Sequence, residues 1–198
     1  MNSNQPFQAL EKDISDHGVE LPPTDRLALR EKLSEVRARS GSCIYGQQDI
    51  GDRWLFLTEG IAASRQNHAD GSSSIARFFE KGQFCGNLTS TWTRDYAADD
   101  LVALTEVVGV EVPAQVFRQE YLGGAAFGEY LRLVVMETLC FDKEIIVVKT
   151  ACTTETRYRF LEERYEAVIG SVRHKDVAAF LGVTPQGLSR FLRKRRQT

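Results

Sequence analysis

Hydrophobic spacing changes character three times along the chain. Residues 1–20 are polar and predict a frayed lead. From Thr24 to Arg39, apolar positions at Leu27, Leu29, Leu33 and Val36 predict a short amphipathic helix. From Ser40 the period shortens. Runs such as Cys43–Tyr45, Arg53–Gly60 and Ser73–Gly82 alternate with glycine and polar turns, which predicts short strands. Asp70-Gly71 is a hairpin signal between two of them, and Asp100–Val112 supplies β-branched strands to close the sheet into a roll or barrel.

After Pro113 the pattern is helical. Apolar or small residues stand at Phe127, Leu131, Val134, Thr138, Phe141, Ile145, Val148 and Cys152, in steps that alternate between four and three. That is a heptad seam, and a helix carrying it spans roughly 40 Å. A seam that outreaches a small β-roll calls for a second helix, most simply its own copy in a dimer; packing inside the chain is the alternative. Thr150–Thr154 is small and β-branched, a plausible hinge. Glu155–Ile169 then predicts another amphipathic helix, offering Tyr158, Phe160, Leu161, Tyr165 and Val168 to the carboxy-terminal segment.

That segment, His174–Thr198, reads as two short helices around a fixed corner. Val177, Ala178 and Leu181 stripe the first helix, and Leu188, Phe191 and Leu192 the second. Gly182 sits where the first helix must reverse through a left-handed residue, and Val183 plugs the corner. Thr184-Pro185 opens the second helix with a hydroxyl cap and a proline whose missing N–H costs nothing there. The pattern is that of a helix-turn-helix, with Ala178 small so that the second helix can pack against it. The second helix is left to enter a major groove with Pro185, Gln186, Ser189, Arg190, Arg193, Lys194, Arg195 and Arg196. A helical hairpin with a solvated basic tail is the plainer alternative.

Charge sharpens the picture. The net charge of −2 is unremarkable, but residues 171–198 hold seven Lys/Arg against Asp176, or +6, leaving −8 on the rest. An acidic body with a basic end fits a sensor joined to a DNA reader. The four cysteines (Cys43, Cys85, Cys140 and Cys152) are widely spaced and read as small buried hydrophobes in a reducing, cytoplasmic setting. Cys85 is the one to suspect of redox sensing. His17, His68 and His174 are scattered, so no metal or cofactor site is expected; His68, beside the hairpin turn, should face solvent. No nucleophile–base motif, phosphate loop, signal peptide or long apolar run appears, which argues against an enzyme and against a membrane protein.

Leu55–Gly60 (LFLTEG), the Asp70-Gly71 turn, Lys81–Gly86 (KGQFCG) and Leu181–Arg195 (LGVTPQGLSRFLRKR), in this order, resemble the Crp/Fnr superfamily of bacterial transcription regulators. The resemblance covers nearly the whole chain. It implies an α+β chain with an N-terminal β-roll of the cyclic-nucleotide-binding jelly-roll kind, a long dimerisation helix and a C-terminal helix-turn-helix domain. The implied domains are residues 1–123, 124–152 and 153–198. It further implies a homodimer on a palindromic double-stranded operator, with RNA polymerase and a small-molecule effector of unknown identity as further partners. Phe127, Leu131, Val134, Thr138, Phe141, Ile145 and Val148 are then the dimer seam.

Two departures from that pattern carry meaning. In nucleotide-binding members a glutamate holds the ribose and an arginine pairs with the cyclic phosphate. Here Cys85-Gly86-Asn87-Leu88 lacks the carboxylate, and Ala97-Ala98-Asp99 stand where the arginine segment falls. Asp142 and Lys143 replace the polar pair expected on the long helix. Gly86, Asn87, Leu88, Ala97, Ala98, Asp142 and Lys143 therefore read as a vestigial ligand pocket. Only Gln197 and Thr198 come after Arg196, so no β-hairpin wing is expected. Residues 1–42 contain no cysteine, which excludes the iron–sulfur branch. The reading is a DNA-binding transcriptional regulator whose effector is not cyclic AMP; the alternative is a ligand-binding or protein-interaction module with a non-DNA-binding hairpin.

Overall fold

The computed structural model describes residues 5–47 and 49–197. Two helices, α1 (Gln5–Asp16) and α2 (Pro23–Lys32), lead into strands β1 (Ser34–Ala38), β2 (Cys43–Tyr45), β3 (Arg53–Glu59), β4 (Ala62–Asn67), β5 (Ser73–Phe79) and β6 (Phe84–Cys85). Helix α3 (Leu88–Thr93), β7 (Asp100–Ala103) and β8 (Val107–Pro113) complete the roll. Then come α4 (Ala114–Gly123), α5 (Ala126–Ala151), α6 (Thr154–Arg164), α7 (His174–Leu181) and α8 (Pro185–Arg195).

The strands form two four-stranded antiparallel sheets, in the orders β1-β8-β3-β6 and β2-β7-β4-β5. The Asp70-Gly71 hairpin joins β4 to β5, as its sequence predicts, with Asn67 opposite Ser73. Leu55, Leu57, Ala62, Phe79, Cys85, Leu101, Ala103 and Val107 fill the space between the sheets. Strand β3 is buried on both faces, which explains its unbroken Trp54-Leu55-Phe56-Leu57 run. Leu55 and Leu57 join that inner core. Trp54 and Phe56 look outward, onto a layer that contains Leu10, Ile14, Phe117 and Tyr130.

The amino-terminal segment departs from expectation twice. Residues from Gln5 to Asp16 form a helix, not a frayed lead, because tertiary contacts hold an otherwise polar stretch. Leu10 and Ile14 lie one turn apart in the outer core. Asp13 accepts a 2.6 Å hydrogen bond from the Tyr130 hydroxyl, and His17 reaches Glu137 of α5 at 3.3 Å. Residues 24–39 are not one helix. The chain turns extended at Leu33 and pairs Ser34–Ala38 with β8, Val36 opposite Gly109. Backbone pairing at the edge of a sheet overrides a weak helical period here.

Helix α5, 26 residues long, is clad differently from the sequence-based expectation. Phe127, Leu131 and Val134 are buried in the outer core against β3 and β8. Ile145 is buried in a third core, with Phe141 and Val148 packed against it. The predicted dimer seam is therefore satisfied within the chain, since a helix laid across a roll whose outer faces are apolar finds its partner there. The apolar residues left in solvent are others: Leu133, Met136 (62% exposed), Leu139, Ile146 (61% exposed) and Val147, with Cys140 among them.

The third core joins the roll to the carboxy-terminal helices. Ala63, Ile75, Phe78 and Val102 of the second sheet, with Ile61 and Leu104 flanking its strands, share it with Phe160, Leu161, Tyr165, Val168, Phe180 and Leu181. Phe78 stacks on Phe180 at 5.1 Å and meets Tyr165 edge-on at 5.6 Å. Arg65 pairs with the buried Asp176 at 2.9 Å across the same junction. Helix α6 ends at Arg164, short of the predicted Ile169, yet Tyr158, Phe160, Leu161, Tyr165 and Val168 all pack as expected. Truncating Phe78 removes a fully buried ring from this junction. Phe78→Ala is expected to lower the unfolding free energy by about 3–5 kcal/mol, measured by chemical denaturation; a loss under about 1 kcal/mol would show that the junction contributes little.

Candidate functional site

The C-terminal corner is built as its sequence dictates. Gly182 ends α7 with φ of 70°, and the Val183 N–H donates to the Ala178 carbonyl at 3.0 Å. The Thr184 hydroxyl accepts from the Gly187 N–H at 3.0 Å, with Pro185 in the first turn of α8. Ala178 and Leu188 are completely buried, so α8 lies on α7 by its apolar stripe. Pro185, Gln186, Ser189, Arg190, Arg193 and Lys194 lie along the outward side of α8 and are exposed, as is Arg196 just past its end. The Ser189 hydroxyl donates to the Pro185 carbonyl at 3.0 Å. One predicted contact residue is otherwise engaged. Arg195 forks onto Glu162 at 2.6 and 2.8 Å, meets Glu155 at 3.1 Å and lies over the Tyr158 ring. It ties α8 to α6, and a planar fork held by two carboxylates is poorly placed to serve as a phosphate contact.

The ligand region is a pair of cavities of about 540 and 330 Å³ that share Ser64, Phe79, Gly86, Asn87 and Asp99 as a common wall. The outer one opens beside Tyr45, Asp49 and Arg53; the inner one reaches Trp54, Arg77 and the α5 residues Thr138, Asp142 and Ile146. Asn87 is committed to local structure. Its side-chain carbonyl caps α3 by accepting from the Ser90 N–H at 2.9 Å, and its amide donates to Asp99 at 3.0 Å. Ala97 lines the outer cavity and Leu88 the inner one.

Two of the expected pocket residues are elsewhere. Ala98 lines neither cavity, and its carbonyl accepts from the Gln47 side chain at 2.7 Å. Lys143 is exposed on the far side of α5, because one residue beyond Asp142 is a rotation of about 100° on a helix. Asp142 itself lines the inner cavity and pairs with Arg77 at 2.7 Å. Sequence reasoning missed Ser64, Phe79 and Arg77. The signal for Arg77 was present: it is the one charge inside the Ser73–Phe79 strand, and a charge in a buried strand needs a partner.

The electrostatics of this wall are acidic. Burial pushes the Asp99 carboxyl above the usual carboxylate range, the Asn87 amide pulls it back, and Asp100 and Asp142 push it up again. Arg53 is taken by Asp52, at 2.6 and 2.9 Å, and by Glu111 at 3.4 Å. A phosphate in these cavities would meet acids and no unpaired guanidinium among the described residues.

The cysteines do not behave as four buried hydrophobes. Cys43 and Cys140 are exposed and Cys152 is half-buried; Cys85 alone is enclosed. His68 is exposed, as expected, beside Ser74 at 3.0 Å. Among the described residues no cluster of three or more metal-ligating side chains occurs, and no helix is long and apolar enough to cross a membrane.

A two-sheet roll, a long helix and a helix-turn-helix, in that order, make a fold that the chain shares with solved structures of regulators. Residues 35–122 match the family model of the cyclic nucleotide-binding domain. Among solved structures the chain is similar to FixK2 from Bradyrhizobium japonicum, with a TM-score of 0.70 and 18% identity, covering 83% of this chain and 85% of that one. It is also similar to the c-di-GMP responsive global regulator CLP from Xanthomonas campestris, at a TM-score of 0.66, 15% identity and coverage of 85% and 89%. A CooA mutant from Carboxydothermus hydrogenoformans stands at 0.64, 14% identity and coverage of 86% and 79%. No curated protein matches the chain in sequence.

Cys85 lines none of these cavities, and its environment opposes a sensing role. It is fully buried, donates to the Leu55 carbonyl at 3.2 Å, and burial pushes its thiol up to about 12. A thiol so held is scarcely ionised near neutrality and scarcely nucleophilic. Iodoacetamide near neutral pH is therefore expected to label Cys43 and Cys140 in the folded protein and to reach Cys85 only after denaturation, read by peptide mass spectrometry. Labelling of native Cys85 at the rate of Cys140 would contradict this.

Proposed function

We propose that this chain is a homodimeric, DNA-binding transcriptional regulator whose roll senses something other than a cyclic nucleotide. The observation that carries the reading is the two-sided character of α8. Its apolar side, led by the fully buried Leu188, is fixed against α7, while Gln186, Ser189, Arg190, Arg193 and Lys194 stand out together. Glutamine and arginine are the side chains whose donors and acceptors suit adenine and guanine edges in a major groove. The basic end of an otherwise acidic chain supplies attraction to the phosphate backbone.

Dimerisation, on this reading, uses the outward stripe of α5, with Leu133, Met136, Leu139, Ile146 and Val147 meeting their copies about a two-fold axis. Exposed aliphatic side chains in that number along one helix favour burial against a like surface. Two recognition helices related by such an axis read inverted half-sites about 34–36 Å apart. The acidic wall around Asp99 is why a cyclic phosphate is set aside as effector.

Arg190 projects from the middle of α8 and is assigned to base reading; Arg193 and Arg196 lie nearer its end and are assigned to phosphates. With an operator enriched from randomised duplexes, Arg190→Ala is expected to lower the operator-to-scrambled affinity ratio by about 5–150-fold, the worth of one bidentate pair. Arg193→Ala should weaken both DNAs alike and reduce the salt slope by about one unit. Titrations at several salt concentrations decide it. An unchanged ratio in Arg190→Ala, or failure to enrich any inverted repeat, would overturn the assignment.

A further inference from the structure

The wall shared by the two cavities holds a carboxylate with no counter-ion. Asp99 accepts hydrogen bonds from the Ser64 hydroxyl and, at 3.0 Å, from the Asn87 amide. Among the described residues no arginine, lysine or histidine pairs with it. The charged groups that act on it through space are Asp100 and Asp142, both acids. The cations nearby are taken: Arg77 by Asp142, and Arg53 by Asp52 and Glu111. Removing a carboxylate from water without a cation is costly, so the site is left in deficit of one positive charge.

A second observation points to a ligand independently. Trp54 is 1% exposed, lies in the wall of the inner cavity, and its indole N–H has no acceptor among the described residues. The Nε of Arg77, a residue 8% exposed and in the same wall, also lacks one. Buried donors are almost always paired, and two on residues that line one cavity ask for acceptor atoms inside it. Gly86 keeps that approach open: a Cβ there would stand 2.7 Å from Trp54 Cδ1 and 3.3 Å from its Nε1. Phe79, Phe84 and Leu88 furnish apolar surface for a carbon frame.

We infer that the paired cavities bind a small organic cation, an amine or amidine, whose N–H groups meet Asp99 and whose acceptor atom or π-face lies against the Trp54 indole. The charge of the wall selects cation over neutral isostere and rejects the anion. None of the side chains assigned to DNA lines either cavity, so this inference rests on the roll being the sensing half but not on DNA binding.

The probes are benzamidine and benzylamine, with benzyl alcohol and benzoate as matched neutral and anionic controls. The full chain, labelled with ¹⁵N-tryptophan, gives one indole signal each for Trp54 and Trp92, assigned with Trp92→Phe. Both cations are expected to shift the Trp54 signal saturably and to bind about tenfold or more tightly than benzyl alcohol, the worth of a charge-assisted hydrogen bond. Benzoate should leave the signal in place. Asp99→Asn keeps the shape and removes the charge, and should erase the preference for cations. The inference is overturned if the alcohol or benzoate binds as tightly as the cations, if no cation moves Trp54, or if Asp99→Asn binds them as the parent does. Should Asp99→Asn fail to fold, the ranking of four probes on the parent chain decides alone. Loss of probe binding leaves the DNA titrations standing, and the converse holds.

Discussion

Helix α5 can hold the molecule together because its heptad seam is buried against its own chain. A helix of 26 residues runs about 39 Å, longer than one face of a small roll can cover. Here the first half, through Phe127, Leu131 and Val134, closes the outer face of the β3–β8 sheet. The second half, through Phe141, Ile145 and Val148, closes the core shared with the carboxy-terminal helices. Without that seam each sheet would expose an apolar outer face, α1 would lose Tyr130 and Glu137, and α6 to α8 would have no floor. The helix is thus a tie between two cores before it is anything else.

The placement of the other parts depends on this. Because the seam faces inward, Asp142 is carried to the inner cavity, where it neutralises Arg77, and Lys143 is carried away from it. Asp99, on the segment leading into β7, then has no cation left to meet, and the cavity acquires its acidic character from the rotation of one helix. The same rotation sets Leu139 and Ile146 both at the rim of the inner cavity and in the exposed stripe. A molecule filling that cavity would lean on residues that, on the proposed dimer, meet a second copy. On the proposed function, side chains that both events share would couple the roll to the relative setting of the two α8 helices.

Much of this was legible in the sequence, and the failures have common causes. The helix-turn-helix was readable residue by residue because its determinants are local: a left-handed glycine, a threonine cap, a proline at the first position and a stripe of spacing three and four. The hairpin at Asp70-Gly71 and the continuous apolar run of β3 were readable for the same reason. Long-range pairing was not. Nothing in Gln5–Asp16 announces a helix until Tyr130 and Glu137 are brought beside it. A strand at Ser34–Ala38 needs β8 to exist. The seam of α5 was correctly seen as a seam, but periodicity says that a face is buried and not against what. Of the residues expected in the pocket, Gly86, Asn87, Leu88, Ala97 and Asp142 line the two cavities, while Ala98 and Lys143 do not. Ser64, Phe79 and Arg77 come from strands distant in sequence and carry no local mark.

The claim that most needs a direct measurement is that the outward stripe of α5 faces its own copy. Cys140 lies on that exposed side of the helix and is free, while Cys43, the other exposed thiol, belongs to the roll. Treatment of dilute protein with a short bis-maleimide, followed by denaturing electrophoresis and peptide mapping, reads their proximity. The account predicts a covalent dimer joined through Cys140, formed in Cys43→Ser, lost in Cys140→Ser and independent of dilution while the dimer persists. A chain that stays monomeric under the reagent, or one joined only through Cys43, would contradict it.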